Sequence, residues 1–419
     1  MAQKIESLRG MEDILPGEVE KWQWLEEKAR IFFQGHGFRE IRTPILEYTD
    51  LFSRSIGEAS DIVHKEMFSF EDRGGRNVTL RPEMTASVAR AVIEKGLLSQ
   101  AKSLRFYYIG PMFRAERPQA GRKRQFHQIG IEIINESGTP SDFDTVKYLY
   151  LFLSELGLSQ FELRINDLGS LEDQQKTAEK LKVYFSKNKE ALCKDCQYRL
   201  EKNVLRIFDC KSEFCQPVIE KAPWEEIAPL SEDFKNTANA LGGGIPFQIK
   251  RRLVRGLDYY NGLVFEVAAK GLGAQDALAG GGRYDRLYSD LGGKPTPCIG
   301  FSIGMERLLM ALGDVAAEKA RENLIYIAPL LNLDANITKH LDQTRYELGQ
   351  LGMKPVLGDS NLKLENHLKN ANKAGAKFVV ILGPDELAAK KWKLKDMDKR
   401  SEELVDWGSL FSKLKHVTV

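Results

Sequence analysis

Two stretches of alternating residues, Leu104 to Glu116 and Arg124 to Asn135, joined by a short basic loop, constrain the fold of this chain more than any other segment. Read with period two, Tyr108, Gly110, Met112, Arg114 and Glu116 share one face of a strand, and Phe126, Gln128, Gly130 and Glu132 share one face of the next. The opposite face holds Tyr107, Ile109, Pro111, Phe113 and Ala115, then His127, Ile129, Ile131 and Ile133, a set suited to packing beneath helices. The connecting loop makes antiparallel pairing the simplest arrangement. One face is therefore core, while the other carries two acids, an amide, an arginine and an aromatic ring. Burying such a row is costly unless a polar ligand or a partner satisfies it. The pair reads as a site built on a sheet.

At 419 residues with 42% hydrophobic content, the chain can fill a substantial core, in two or three domains. No apolar run approaches the roughly 18 residues of a membrane span. The start Met1-Ala2-Gln3-Lys4 lacks the apolar stretch of a signal peptide, so a soluble cytoplasmic protein is expected. Five cysteines in a long chain do not read as a secreted disulfide framework, and reduced thiols are the default. With a net charge of +2, a nucleic acid would be held by local patches rather than a global field. Arg122-Lys123-Arg124, Lys250-Arg251-Arg252 and the run from Lys390 to Lys395 are such patches, each reading alone as solvated surface.

The spacing of Trp22, Leu25, Ala29, Phe32 and Phe33 predicts a helix from Glu18 to Gln34, followed by an extended segment from Phe38 to Leu46. Pro82 opens a helix to about Glu94, with Glu83 and Thr85 in its first turn. A helix from Asp142 to Leu156 and a strand from Phe161 to Leu168 continue the core. The texture then turns charged and helical. These patterns divide the chain into residues 1–170, a helical insertion at 171–241, a second core part at 242–322, and an alternating α/β unit at 323–419.

Phe113, Arg114, Glu116 and Phe126 resemble the second motif of the class II aminoacyl-tRNA synthetases, and Gly304-Met305-Glu306-Arg307 resembles the third. The first motif resembles the helix and strand ending at Pro44. Within that class the match narrows to the histidyl-tRNA synthetase family, through Leu253-Val254-Arg255-Gly256-Leu257-Asp258-Tyr259-Tyr260 and Ala279-Gly280-Gly281-Gly282-Arg283-Tyr284-Asp285. Arg9-Gly10 with Asp13-Ile14-Leu15-Pro16, Arg81-Pro82-Glu83-Met84-Thr85, and Arg117-Pro118-Gln119 are also similar. Several long motifs in order make chance agreement implausible, where any single one is weak. The resemblance implies an α+β fold: an antiparallel sheet flanked by helices, with the helical insertion and a C-terminal anticodon-binding domain. It further implies a homodimer that joins histidine to its tRNA through histidyl-adenylate, using ATP and Mg2+.

Activation brings a carboxylate onto the α-phosphate of ATP, so two anions must meet and the growing charge must be neutralised. Arginines suit this, with fixed forks and permanent charge. By resemblance, Arg114 and Arg255 are the catalytic pair, and both also contact histidine. Glu83, Met84, Thr85, Gln128, Glu132, Tyr259, Tyr260 and Tyr284 complete the implied histidine pocket. Arg114, Glu116, Arg122, Phe126 and Arg307 form the implied ATP site. Glu132 with Tyr260 would receive the imidazole, rejecting phenylalanine-like rings that leave a carboxylate unpaired. Gly130, Gly281 and Gly282 would keep the pocket floor low.

Other features carry less. His127 falls on the apolar strand face, as a satisfied core histidine would. Cys193, Cys196, Cys210 and Cys215 have a spacing zinc tolerates, but no histidine lies nearby and the reaction needs no zinc, so no metal ligand is assigned. In the C-terminal unit, His367 and Lys399-Arg400-Ser401-Glu402 depart from the pattern of anticodon-binding domains, and individual anticodon contacts stay unassigned. Two rival readings share the fold: a silent regulatory paralogue serving ATP phosphoribosyltransferase, and an uncharged-tRNA sensor of a kinase. The first normally lacks the C-terminal unit and an intact Arg255 segment; the second would sit beside kinase motifs.

Overall fold

The structure, a computed structural model, describes residues 5–57, 60–119, 121–272, 276–321 and 323–415. In chain order its first strands are β1 (Arg39–Glu40), β2 (Leu46–Tyr48), β3 (Phe68–Glu71), β4 (Asn77–Leu80), β5 (Leu104–Phe113), β6 (Gln125–Ile134), β7 (Phe161–Asp167) and β8 (Gln248–Ile249). The rest are β9 (Asn261–Ala269), β10 (Ala277–Arg283), β11 (Cys298–Gly304), β12 (Leu324–Pro329), β13 (Lys354–Leu357), β14 (Phe378–Leu382), β15 (Lys391–Asp396) and β16 (Ser401–Asp406). Among the described residues these form an eight-stranded sheet ordered β1-β5-β6-β11-β10-β9-β7-β8, a three-stranded sheet β2-β4-β3, and a five-stranded sheet β13-β12-β14-β15-β16.

The large sheet is antiparallel through its middle and parallel at its edges, where β1 pairs β5 and β8 pairs β7. β5 and β6 form the expected hairpin, with Tyr108 opposite Gly130, Gly110 opposite Gln128 and Met112 opposite Phe126. Ile129, Ile131 and Ile133 are wholly buried on the other face. Beneath them the helix Val19–Gly35 packs Phe33 against Tyr107, Phe152 and Phe301 at ring separations of 5.9, 5.1 and 6.3 Å.

The extended segment from Phe38 to Leu46 divides between β1 and β2, which lie in different sheets. Pro44 has no N–H to give to a ladder, and Arg81 takes the chain over by donating to the Thr43 carbonyl at 2.8 Å and the Pro111 carbonyl at 3.0 Å. The next helix also starts later than its proline suggests, at Thr85–Glu94. Glu83 explains the shift, because its carboxylate accepts from the amides of Thr85 and Ala86 at 2.6 and 2.9 Å and so satisfies the first turn from outside.

The chain divides into two compact units, one holding residues up to Asp13 with Glu26–Leu312, the other Ile14–Leu25 with the chain from Gly313. Within the first, the helices Leu171–Lys187, Lys194–Lys202, Gln216–Glu220 and Trp224–Ile227 enclose a core of their own, including Leu181, Phe185, Cys196, Ile207 and Trp224, whereas the helix Glu232–Gly242 packs on the helix Thr139–Glu155. A capping box of Ser170 and Asp173 opens the first of them.

In the second unit, β13, β12 and β14 are parallel, with helices Ala335–Gln350 and Leu364–Ala374 as the connections. The lysine run is not merely a charged surface. It is strand β15, whose Trp392 and Leu394 are buried while Lys391, Lys393 and Lys395 pair with Asp406, Glu386 and Glu402. The unexpected turn at Lys399-Arg400 joins it to β16.

Candidate active site

On the polar face of the large sheet lies a cavity of about 440 Å³, within the size range of small-molecule sites. Strand β5 and the loop after it deliver Arg114, Glu116 and Arg122 to its wall; β6 delivers Phe126 and Gln128; Arg307 follows β11. Arg255, Tyr259 and Tyr260 reach it from the segment before β9, Tyr284 from the end of β10, and Glu83 and Thr85 from the start of the helix Thr85–Glu94. Residues far apart in sequence thus open onto one space.

The arginines there are held in place by nearby acceptors. Arg114 donates through Nε to the Pro82 carbonyl at 2.9 Å, lies 3.8 Å from Glu116, and sits over the Phe126 ring at 5.2 Å. Arg122 pairs with the same Glu116 at 2.9 Å. Arg255 donates to Glu266 at 2.6 Å, and Gly280 leaves the room, since any Cβ there would overlap the guanidinium. Burial opposes the charge of Arg255, yet Glu266, Tyr260 and Asp209 hold its pKa above the ordinary value. Arg307 donates to the Ala277 carbonyl at 2.7 Å, and burial with the nearby Arg122 charge lowers its pKa.

The opposite side is acidic and aromatic. Burial raises the pKa of Glu83, against the amides that bind it. Glu132 is 1% exposed and does not line the cavity; it stands one layer back, accepting from Thr85 Oγ1 at 2.7 Å and from the Tyr284 hydroxyl. Burial pushes its carboxyl up to about 8 despite those donors, with Glu83 adding to the rise. Burial likewise raises Tyr260 to about 12 and carries Tyr259 and Tyr284 well above their usual range. Tyr259 lies 4.8 Å from Tyr260 and 5.6 Å from Tyr284, ring to ring.

Met84, grouped with the pocket by sequence, does not reach it. Its side chain is buried in the core, where the sulfur accepts from Thr43 Oγ1 at 3.2 Å. Nor do Gly130, Gly281 and Gly282 form the cavity floor. Their missing side chains admit Tyr108, Phe265 and Tyr260, and the glycines that line the cavity include Gly280 and Gly300 instead.

Several residues of the wall escaped sequence reading, among them Glu266, Glu306, Arg206 and Asp209. Glu266, a lone acid in the apolar run Leu263 to Ala268, anchors Arg255, and its interruption of that run was the available signal. Glu306 accepts from the His127 amide at 3.0 Å and meets its ring nitrogen at 3.1 Å, so the half-buried His127 orients a carboxylate of the cavity wall. Arg206 and Asp209 come from the helical segment, where only a charged surface was legible.

The chain matches the family model described as histidyl-tRNA synthetase over residues 10–308, and that of an anticodon binding domain over 325–416. It is 43% identical over 399 residues to the histidine–tRNA ligase of Fervidobacterium nodosum and 42% identical over 399 residues to that of Halothermothrix orenii, covering 94% of each chain in both comparisons. Its fold is similar to the crystal structure of apo histidyl-tRNA synthetase from S. aureus, with a TM-score of 0.72 and 31% identity over 98% of this chain and 100% of that one. On the strength of a family match across most of its length and of relatives aligned nearly end to end, this chain belongs to the histidyl-tRNA synthetase family.

Proposed function

We propose that this cavity carries both steps of a histidine–tRNA ligase: histidine and ATP form histidyl-adenylate and pyrophosphate, and the histidyl group then passes to the terminal adenosine of the tRNA. The observation that carries this reading is the opening of Arg114 and Arg255, from β5 and from the segment before β9, onto one cavity. Their guanidinium groups suit the two sides of a reacting α-phosphate, where fixed donors stabilise the extra charge of the transition state without having to reorganise.

In this arrangement the histidine carboxylate attacks phosphorus between the two arginines, and pyrophosphate leaves toward Arg307 and Arg122. Adenine stacks on Phe126. The α-ammonium of histidine meets Glu83, Thr85 and Gln128, and the imidazole lies against Tyr260 and Tyr284, with Glu132 behind them. Carboxylates of Glu116, Asp209, Glu266 and Asp276 in the wall are hard oxygen donors of the kind Mg2+ takes when it arrives on the nucleotide. No side chain is needed as general base, because a carboxylate is already ionised.

The C-terminal unit would read the anticodon and the helical segment at 171–241 would reach the acceptor arm, where the family reads an extra 5′ guanosine. The segment ending at Pro44 implies a homodimer through its resemblance to the family's first motif. No helix among the described residues is long and apolar enough to cross a membrane, and a cytoplasmic location suits the reaction. Charging of a histidine tRNA transcript by the purified chain tests the whole reading. Histidine should be esterified to that tRNA and to no other, and failure of a folded preparation to charge it would remove the assignment.

A further inference from the structure

We propose that Cys193, Cys196, Cys210 and Cys215 bind one structural zinc ion. Their Sγ atoms all lie within 4.8 Å of one another, and those of Cys193 and Cys210 are 3.9 Å apart. A tetrahedron with Zn–S bonds of about 2.3 Å places its sulfurs roughly 3.8 Å apart, so one ion fits at the centre with small adjustments. None of the four is in a disulfide.

Two further observations favour bound thiolates. The Cys193 amide donates to Cys215 Sγ at 3.1 Å and the Ser212 amide to Cys210 Sγ at 3.4 Å, the outer donors that stabilise metal-bound sulfur. Three of the cysteines are buried in the core of the helical segment, where four grouped sulfurs close a site without an open position. Such a site is structural, and binding releases the thiol protons.

The ion would pin the loop between Cys196 and Cys210. That loop carries Arg206 and Asp209 into the wall of the cavity, and Arg206 donates to the Arg255 carbonyl at 2.9 Å. Zinc would thus fasten the insertion to the main chain of a residue facing the substrates.

The test is metal analysis of the full chain, produced in zinc-supplemented medium and purified without chelator. About one zinc per chain is expected, released when a mercurial blocks the thiols. Cobalt exchanged into the site should give the charge-transfer and ligand-field bands of a tetrahedral tetrathiolate. Cys196→Ser and Cys210→Ser should lose the metal, whereas Cys298→Ser, whose buried sulfur lies outside the cluster, should keep it. If the serine variants do not fold, zinc content and the cobalt spectrum of the unaltered chain decide. Metal-free protein with all four thiols titratable, or with two disulfides, would overturn the proposal. Neither result bears on whether the chain charges tRNA.

Discussion

Arg206 donates through Nη1 to the backbone carbonyl of Arg255 at 2.9 Å, so a side chain of the helical segment fixes the main chain of an arginine in the substrate cavity. Arg206 is itself buried and pairs with Asp209 at 3.1 Å. The helical segment is thereby tied directly to the main chain of Arg255.

Arg206→Met should therefore slow adenylate formation while Arg114, Arg122, Arg255 and Arg307 stay in the cavity wall. A hydrogen bond from a charged group contributes about 1.5–3 kcal/mol, which corresponds to a loss of roughly 10- to 150-fold in kcat. Pyrophosphate exchange read alongside circular dichroism checks this. Unchanged kcat in a folded variant would show that the link is idle.

Gly280→Ala should act on the same arginine from the other side. The added methyl group would overlap the Arg255 guanidinium, the movable end of a side chain, so the fold should persist while Arg255 is pushed off Glu266. Displacing a reacting group by about 1 Å costs on the order of 100-fold. The expected result is a fall in kcat at near-normal thermal stability.

The buried carboxyl of Glu132 predicts how stability depends on pH. Its pKa is raised from 4.5 to about 8 on folding, so its favourable contribution is complete below 4.5 and is lost as pH rises through 8. Replacing it by glutamine removes that dependence, worth on the order of a few kcal/mol. Urea midpoints should decline from pH 5 to pH 9 in the parent chain and more gently in Glu132→Gln, where Glu83 still contributes with the same sign. Identical slopes would contradict the assigned burial.

Trp392→Ala should destabilise the C-terminal unit by about 3–5 kcal/mol, because the indole is fully buried beneath β15. Since pyrophosphate exchange needs no tRNA, it should survive where charging fails. Loss of both together would place Trp392 in the wrong unit.

Much of this was legible beforehand for a physical reason. Period-two alternation in Leu104–Phe113 and Gln125–Ile134 fixes which side chains share a face, and pairing then follows from a short loop. What escaped depended on long-range placement. The alternation of Lys391–Asp396 was present but masked by charge, and only the burial of Trp392 and Leu394 reveals it as a strand. Glu132 reads as a contact residue from its strand position, yet its carboxylate is hydrogen-bonded by Thr85 and Tyr284, from other elements. No local pattern announces that Arg206 finds Arg255, 49 residues away.

The claim that two arginines from distant segments act on one phosphorus is tested most directly by histidine-dependent exchange of pyrophosphate into ATP, comparing the parent chain with Arg114→Ala and Arg255→Ala. The parent should exchange with histidine and not with phenylalanine, and each variant should lose roughly 100-fold or more in kcat. A variant that retains full exchange, or a folded parent chain that shows none, would contradict it.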